Sequence, residues 1–196
     1  RVMNSLGQSH FKKGDYAQAS RYFQMAAADD PDHADYVHNL ATARWKQGDV
    51  AGAEQLYRQS LDINPMHQPS YHSLAKMLKE TNRVEEAHDL LAMWGDTQPY
   101  LAEPHVEMAW LNRETGNPGG AEESLRRALN VDPKNSTALA HLGQVYEDQG
   151  RSGEAVAMYR RSLHKDWRQP GVKRRIASLN QPQWQTTPQG TQLANQ

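Results

Sequence analysis

ADYVHNLATARWKQGDVAGAEQLYRQSLDINPMH, residues 34–67, reads as two helices joined by a turn. Gly48 stands where the first helix has to stop, because glycine enters the left-handed cap conformation at little cost. Asp49 follows it, with a side chain suited to accept hydrogen bonds from the free N–H groups of the next helix. Ala53 and Tyr57 are four residues apart and so share one face of the second helix. Leu40 and Ala41 set a large and a small residue side by side on the first, so the pair can approach closely while the larger side chain fills the space beside the contact. Pro65 then ends the second helix and stiffens the link beyond it.

The same pattern recurs at a fixed interval. Pro31, Pro65, Pro99 and Pro133 are each 34 residues apart. Aligned on them, one column reads Ala19, Ala53, Ala87, Ala121, Ala155, and another Gly7, Ala41, Ala75, Ala109, Gly143. Before the second stand Leu6, Leu40, Leu74, Met108 and Leu142. A fourth column reads Phe23, Tyr57, Leu91, Leu125, Tyr159, and the turn column reads Gly14, Gly48, Asn82, Gly116, Gly150. Asp15, Asp49 and Ser152 are placed to cap the helices that follow. The period divides the chain into units 1–33, 34–67, 68–101, 102–135 and 136–169, each a helix–turn–helix.

Three departures carry expectations. Trp94-Gly95 replaces the small-then-Leu pair seen at Ala128-Leu129, so the second helix of the third unit is expected to end early and Trp94 to pack unlike its equivalents. Pro104 and Pro118 fall in first helical turns, where proline is tolerated. Trp167 takes the place of the fifth proline, and Pro170 opens residues 170–180, where Val172, Ile176 and Leu179 recur at helical spacing while Lys173, Arg174 and Arg175 face elsewhere. That segment is expected to be a capping helix. Residues 181–196 are rich in Gln, Thr and Pro, carry no charged side chain, and are expected to be a flexible tail.

The period and columns resemble those of the tetratricopeptide repeat (TPR) family over residues 1 to about 167. The resemblance implies an all-α fold, a right-handed superhelical solenoid of helix–turn–helix repeats with a C-terminal capping helix. It also implies a concave groove lined mainly by the first helix of each unit, where a segment of a partner protein binds. Carried over position by position, it assigns Asn4 and Gln8 in the first unit, then His38, Asn39, Thr42 and Trp45 in the second. It assigns His72, Lys76 and Lys79 in the third, Glu107, Trp110 and Arg113 in the fourth, and His141 and Gln144 in the fifth. Members that clamp a chaperone's C-terminal carboxylate use a set of Lys, Asn and Arg. Here the corresponding positions hold Asn4, Gln8, Asn39, Pro69 and Ser73, of which only Asn39 fits, so that ligand is not expected.

Composition agrees with a repeat array. Only 37% of the 196 residues are apolar and the mean hydropathy is -0.90, a thin core for one globule but enough where each unit buries only the strip facing its neighbours. Lys and Arg number 22 against 23 Asp and Glu, so bulk charge recruits neither nucleic acid nor an anionic membrane. The chain has no cysteine, and no run approaches the ~18 apolar residues of a membrane span. It opens on Arg1 without an initiator Met, which is expected of a piece of a longer protein.

No pattern of catalytic residues emerges. The nine histidines include no H-E-x-x-H pair. His38 and His72 share a repeat position, but adjacent helix axes ~8–10 Å apart strain any shared metal ligation. Glu85-Glu86, Glu122-Glu123 and Asp29-Asp30 are sequence neighbours and point apart on a helix or sit at its end. No G-x-S-x-G or phosphate loop is present. The basic group Arg160, Arg161, Lys165, Arg168, Lys173, Arg174 and Arg175 has no series of interleaved aromatics to stack successive bases. The expected function is therefore a protein-binding scaffold with no enzymatic activity and no cofactor. The alternatives are the TPR arm of a larger enzyme such as a glycosyltransferase, or a structural, oligomerising repeat domain.

Overall fold

A computed structural model describes residues 1–180; the expected tail at 181–196 lies outside the described residues. Among these, every regular element is a helix. They run α1 (Val2–Lys12), α2 (Tyr16–Asp29), α3 (Ala34–Lys46), α4 (Val50–Ile63), α5 (Gln68–Glu80), α6 (Val84–Thr97), α7 (Glu103–Glu114), α8 (Pro118–Val131), α9 (Ser136–Asp148), α10 (Ser152–Lys165) and α11 (Pro170–Leu179). Two compact units divide them: Arg1–Val131 holds α1 to α8, and Asp132–Gln196 holds the rest.

The turn column behaves as its chemistry requires. Gly14, Gly48, Gly116 and Gly150 all have positive φ, and Asn82 joins them at 62°. Asp15 accepts from the Gln18 N–H at 3.2 Å and Asp49 from the Gly52 N–H at 3.0 Å, each satisfying a free donor of its helix. Ser152 does not cap. The N-cap of α10 is Arg151, whose side chain makes no capping bond, and Ser152 is already the first helical residue.

In the first unit, consecutive helices pack in turn against one another. Ala41, Ala53, Ala75 and Ala87 are all 0% exposed, and Tyr57, Leu74 and Leu91 fill the core beside them. Ala87 sits at the crowded centre of this cluster, so Ala87→Leu is expected to overpack it and cost about 1–3 kcal/mol. Chemical denaturation reads this directly. An unchanged midpoint would show that the alanine column does not set the helix spacing.

The second helix of the third repeat does not end early. α6 has the same 14 residues as α2, α4, α8 and α10. A glycine inside a helix costs about 1 kcal/mol relative to alanine, which is small beside the burial of the neighbouring indole. Trp94 is 1% exposed and stacks on Tyr71, ring centroids 4.1 Å apart. Crowding does not require Gly95, since a Cβ there would lie at ordinary contact distance, 3.6 Å, from the Pro104 side chain of α7. Trp94 does pack unlike its equivalents. Ser60 and Ser162 in the same column instead donate to the carbonyls of Ala34 and Ser136, at 2.9 and 2.7 Å.

In the second unit, α9 and α10 pair, and α11 packs on α10 with Val172 buried. Arg175 does not face away with Lys173 and Arg174. Its guanidinium reaches Glu147 on α9 at 2.9 Å, and the same carboxylate oxygen accepts from the Tyr159 hydroxyl at 2.6 Å. Burial alone would raise the Glu147 pKa, but the bonds from Tyr159 and Arg175 outweigh it and hold the carboxyl below its usual range. The ion pair fastens α11 to the repeat, which hydrophobic spacing alone does not reveal.

Candidate functional site

The first helices of the repeats in the first unit, α1, α3, α5 and α7, bring the expected residues to a shared face, and these fall into three groups. The first is an open row across α3, α5 and α7. Trp45 and Trp110 are both half-buried, each resting on the edge of the central core. Over the Trp45 ring lie the ammonium groups of Lys46, at 5.4 Å from its centroid, and of Lys76, at 6.0 Å. Lys79 lies 5.6 Å from the Trp110 centroid and donates to Glu114 at 2.6 Å. That bond is the main reason the Glu114 carboxyl is held below its ordinary pKa. Arg113 is half-buried beside it. The row thus alternates indole faces with cations, an arrangement in which ring quadrupole and charge attract.

His72 and Glu107 stand behind the row. His72 Nδ1 is 2.7 Å from Glu107 Oε2, its ring is tilted on Trp110 with centroids 4.7 Å apart, and Gln68 donates to the other oxygen of Glu107 at 3.2 Å. Glu107 is 7% exposed, so it holds His72 and Gln68 in place and offers little of itself to a visitor.

The second group turns inward. His38 Nδ1 lies 3.1 Å from Ser70 Oγ, and its ring meets those of Tyr57 and His67 at 5.4 and 5.3 Å. Burial pushes the His38 pKa down to about 4, the neighbouring His67 and His72 lower it further, and Asp35 opposes them. Thr42 bonds the His38 carbonyl and meets the Tyr57 hydroxyl at 3.0 Å. His38 and His72 therefore have separate partners.

Sequence reasoning missed the network that encloses His38. His67 bridges Asp35 Oδ1, at 3.1 Å from its Nε2, and Ser70 Oγ, at 2.8 Å from its Nδ1, while Ser70 donates to Ser60 at 2.9 Å. The order Asp, His, Ser has the distances of a nucleophilic relay. Ser70 and Ser60 are nevertheless 0% exposed, and the Ser70 hydrogen is committed to Ser60, so no substrate atom reaches the hydroxyl. The network ties three helices together. One signal was available: His33 and His67 are 34 apart, and both lie within reach of Asp35.

The third group lies between α1 and α3. Asn39 donates to Asn4 Oδ1 at 2.9 Å. Beside that bond Gln8, Phe11, Lys12 and Phe23 line a hollow of about 300 Å³, closed by Asn39 and Thr42. In the second unit His141 and Gln144 are half-buried on α9, and neither is without a partner. Among the described residues no three His, Cys, Asp or Glu cluster as metal ligands, and no helix is long and apolar enough to cross a membrane.

Comparison with known proteins follows the same lines. A tetratricopeptide repeat model matches residues 4–66 and 106–170, and a second one matches 44–100. No curated protein matches the chain in sequence. Among solved structures, a thermophilic TPR protein of Thermus thermophilus is similar with a TM-score of 0.66 at 22% identity, over 91% of this chain and 97% of that one. PilF of Pseudomonas aeruginosa gives 0.58 at 16% identity, over 91% and 87%. MamA of Desulfovibrio magneticus gives 0.53 at 16%, over 86% and 96%. At such identities these structures share the fold alone. The repeat models, however, match well over half of the residues, and with the helix pairs, left-handed turns and alanine columns in place, the chain belongs to the tetratricopeptide repeat family.

Proposed function

We propose that this protein is a scaffold that holds an extended segment of a partner protein along the face of α1, α3, α5 and α7, centred on Trp45, Lys76, Lys79 and Trp110. Repeats of this family serve generally as protein-interaction modules, and the reading rests on one observation. Two half-buried indoles lie on first helices of the repeats, with lysines over their faces and Glu114 and Arg113 at the rim. Such a row suits a segment with an apolar anchor flanked by charges of both signs. Tryptophan and arginine are over-represented among residues that dominate interface energy, whereas rim charges contribute little. Gln8, Asn39 and the Phe11 hollow would extend the same track at one end, and His141 and Gln144 are its proposed counterparts in the second unit.

The test is capture of partners from the native extract, followed by titration of the purified partner. Trp110→Ala is expected to weaken binding at least about tenfold at unchanged helicity, and Lys46→Ala to change it little. Equal binding by wild type and Trp110→Ala, together with loss on mutating Arg58, Glu86 or Arg126 on the second helices, would move the function away from this face.

A further inference from the structure

The bulk charge of -1 hides a strong partition. Residues 1–131 contain thirteen Lys and Arg against eighteen Asp and Glu, and residues 132–196 contain nine against five. Part of each excess gathers at one place within its own unit. In the second unit Arg160, Arg161, His164 and Lys165 of α10, with Lys134, surround a hollow of about 850 Å³ whose apolar floor is Leu139 and Pro133. Arg44, Arg58, Arg83, Arg126, Arg127, Arg151 and Arg175 each have a carboxylate partner. Lys134, Arg160, Arg161 and Lys165 have none among the described residues, and the one polar side-chain contact of Arg161 is the Met158 sulfur at 3.6 Å. His164 and Lys165 gain from the C-terminal dipole of α10, but Arg160 and Arg161 lie further up the helix.

The first unit carries the complement. Asp29 ends α2, Asp30 is its C-cap and Asp32 follows, with no basic residue in the last turn of that helix. Carboxylates at a helix C-terminus meet the negative end of the dipole and one another. None of the three has a cation partner among the described residues. Asp30 and Asp32 also line a cleft of about 320 Å³ together with Asp35, which already meets His33 and His67 there. One helical turn before Asp29, Met25 is 51% exposed, an apolar side chain beside the acidic corner.

We propose that the basic hollow of α9 and α10 docks the acidic corner at the end of α2 of a second copy of this chain. Asp29, Asp30 and Asp32 would pair with Arg160, Arg161 and Lys165, and Met25 would meet the Leu139 and Pro133 floor. Each surface relieves like-charge crowding in the other. The apolar floor, with no Phe, Tyr or Trp in the lining of the hollow, favours a protein surface over nucleic acid as occupant. A contact between two different patches closes into a dimer if a two-fold axis pairs them twice and otherwise grows head to tail. This association is independent of the Trp45–Trp110 face.

Sedimentation velocity of the full chain tests it. Wild type is expected to self-associate at about 0.05 M salt and to dissociate by about 0.5 M, because exposed ion pairs are screened. The double variant Arg160→Glu/Arg161→Glu and the double variant Asp30→Lys/Asp32→Lys are each expected to lose at least about tenfold in association while keeping wild-type helicity, since like charges then face each other. Mixed in equal amounts, the two reversed variants are expected to associate again, because each now complements the other. A wild type that stays monomeric at low salt overturns the proposal, and so does association that survives either reversal or a mixture that remains monomeric.

Discussion

Trp94→Ala is expected to lower the free energy of unfolding by about 3–5 kcal/mol, the range for truncating a fully buried large aromatic. Trp94 is the largest of the fully buried side chains among the described residues, and the Tyr71 ring stacks on it with centroids 4.1 Å apart. The aromatic contact adds about 0.5–1.5 kcal/mol beyond its area. One feature works in the other direction. The indole N–H of Trp94 is buried with no hydrogen-bond partner among the described residues, and such a donor costs about 1–3 kcal/mol. Trp94→Phe keeps a stacked ring and removes that donor, so it is expected to cost less than half as much as the alanine variant. Urea denaturation followed by helicity gives both values. Equal losses for alanine and phenylalanine would mean that the stack on Tyr71 contributes nothing.

A second large effect is expected in acid. The folded-state pKa of His38 is about 4 because burial disfavours its charge, against 6.5 when unfolded. Between those values the unfolded chain binds the proton and the folded chain does not, so stability falls as pH falls. The contribution is intact above about pH 7, declines through the window from 6.5 to 4 and levels off below it. From about pH 7.5 to about pH 5 the loss from this one group is about 2 kcal/mol. Other groups titrate over the same range, so the measurement is the difference between wild type and His38→Gln at each pH. That difference is expected to move by about 2 kcal/mol in favour of the variant as the solution is acidified. A constant difference would show that the fold does not lower the pKa of His38.

The helix that carries each candidate residue was legible in the sequence, and the reason is the repeat. Once Pro31, Pro65, Pro99 and Pro133 set the register, every position has counterparts in the other units. Trp45 or Trp110 can then be placed on a helix and a face by its column alone. Pairing escaped that reasoning. Nothing in the columns says that Glu107 would be committed to His72 and Gln68, or that His38 would turn toward Ser70 and become half-buried. Those outcomes depend on which rotamer fits beside a neighbour one unit away, and neighbours differ between units.

The sequence by itself determined the helix pairs, their turns and the small-residue contacts. These are local consequences of 34-residue spacing, glycine and asparagine at positive φ, and alanine where helices meet. The tertiary structure alone decided the fate of the exceptions. Gly95 has the chemistry of a helix stop, but Trp94 had Tyr71 to stack on. Arg175 reads as solvent-facing until Glu147 and Tyr159 supply a half-buried partner. Asp35, His33 and His67 became a network because helices about one repeat apart in the chain pack side by side. For Trp94 the physical reason is magnitude, since local propensities amount to about 1 kcal/mol per residue and one buried aromatic outweighs them; for the other two it is the partner, which packing supplies from a different helix and no local pattern encodes.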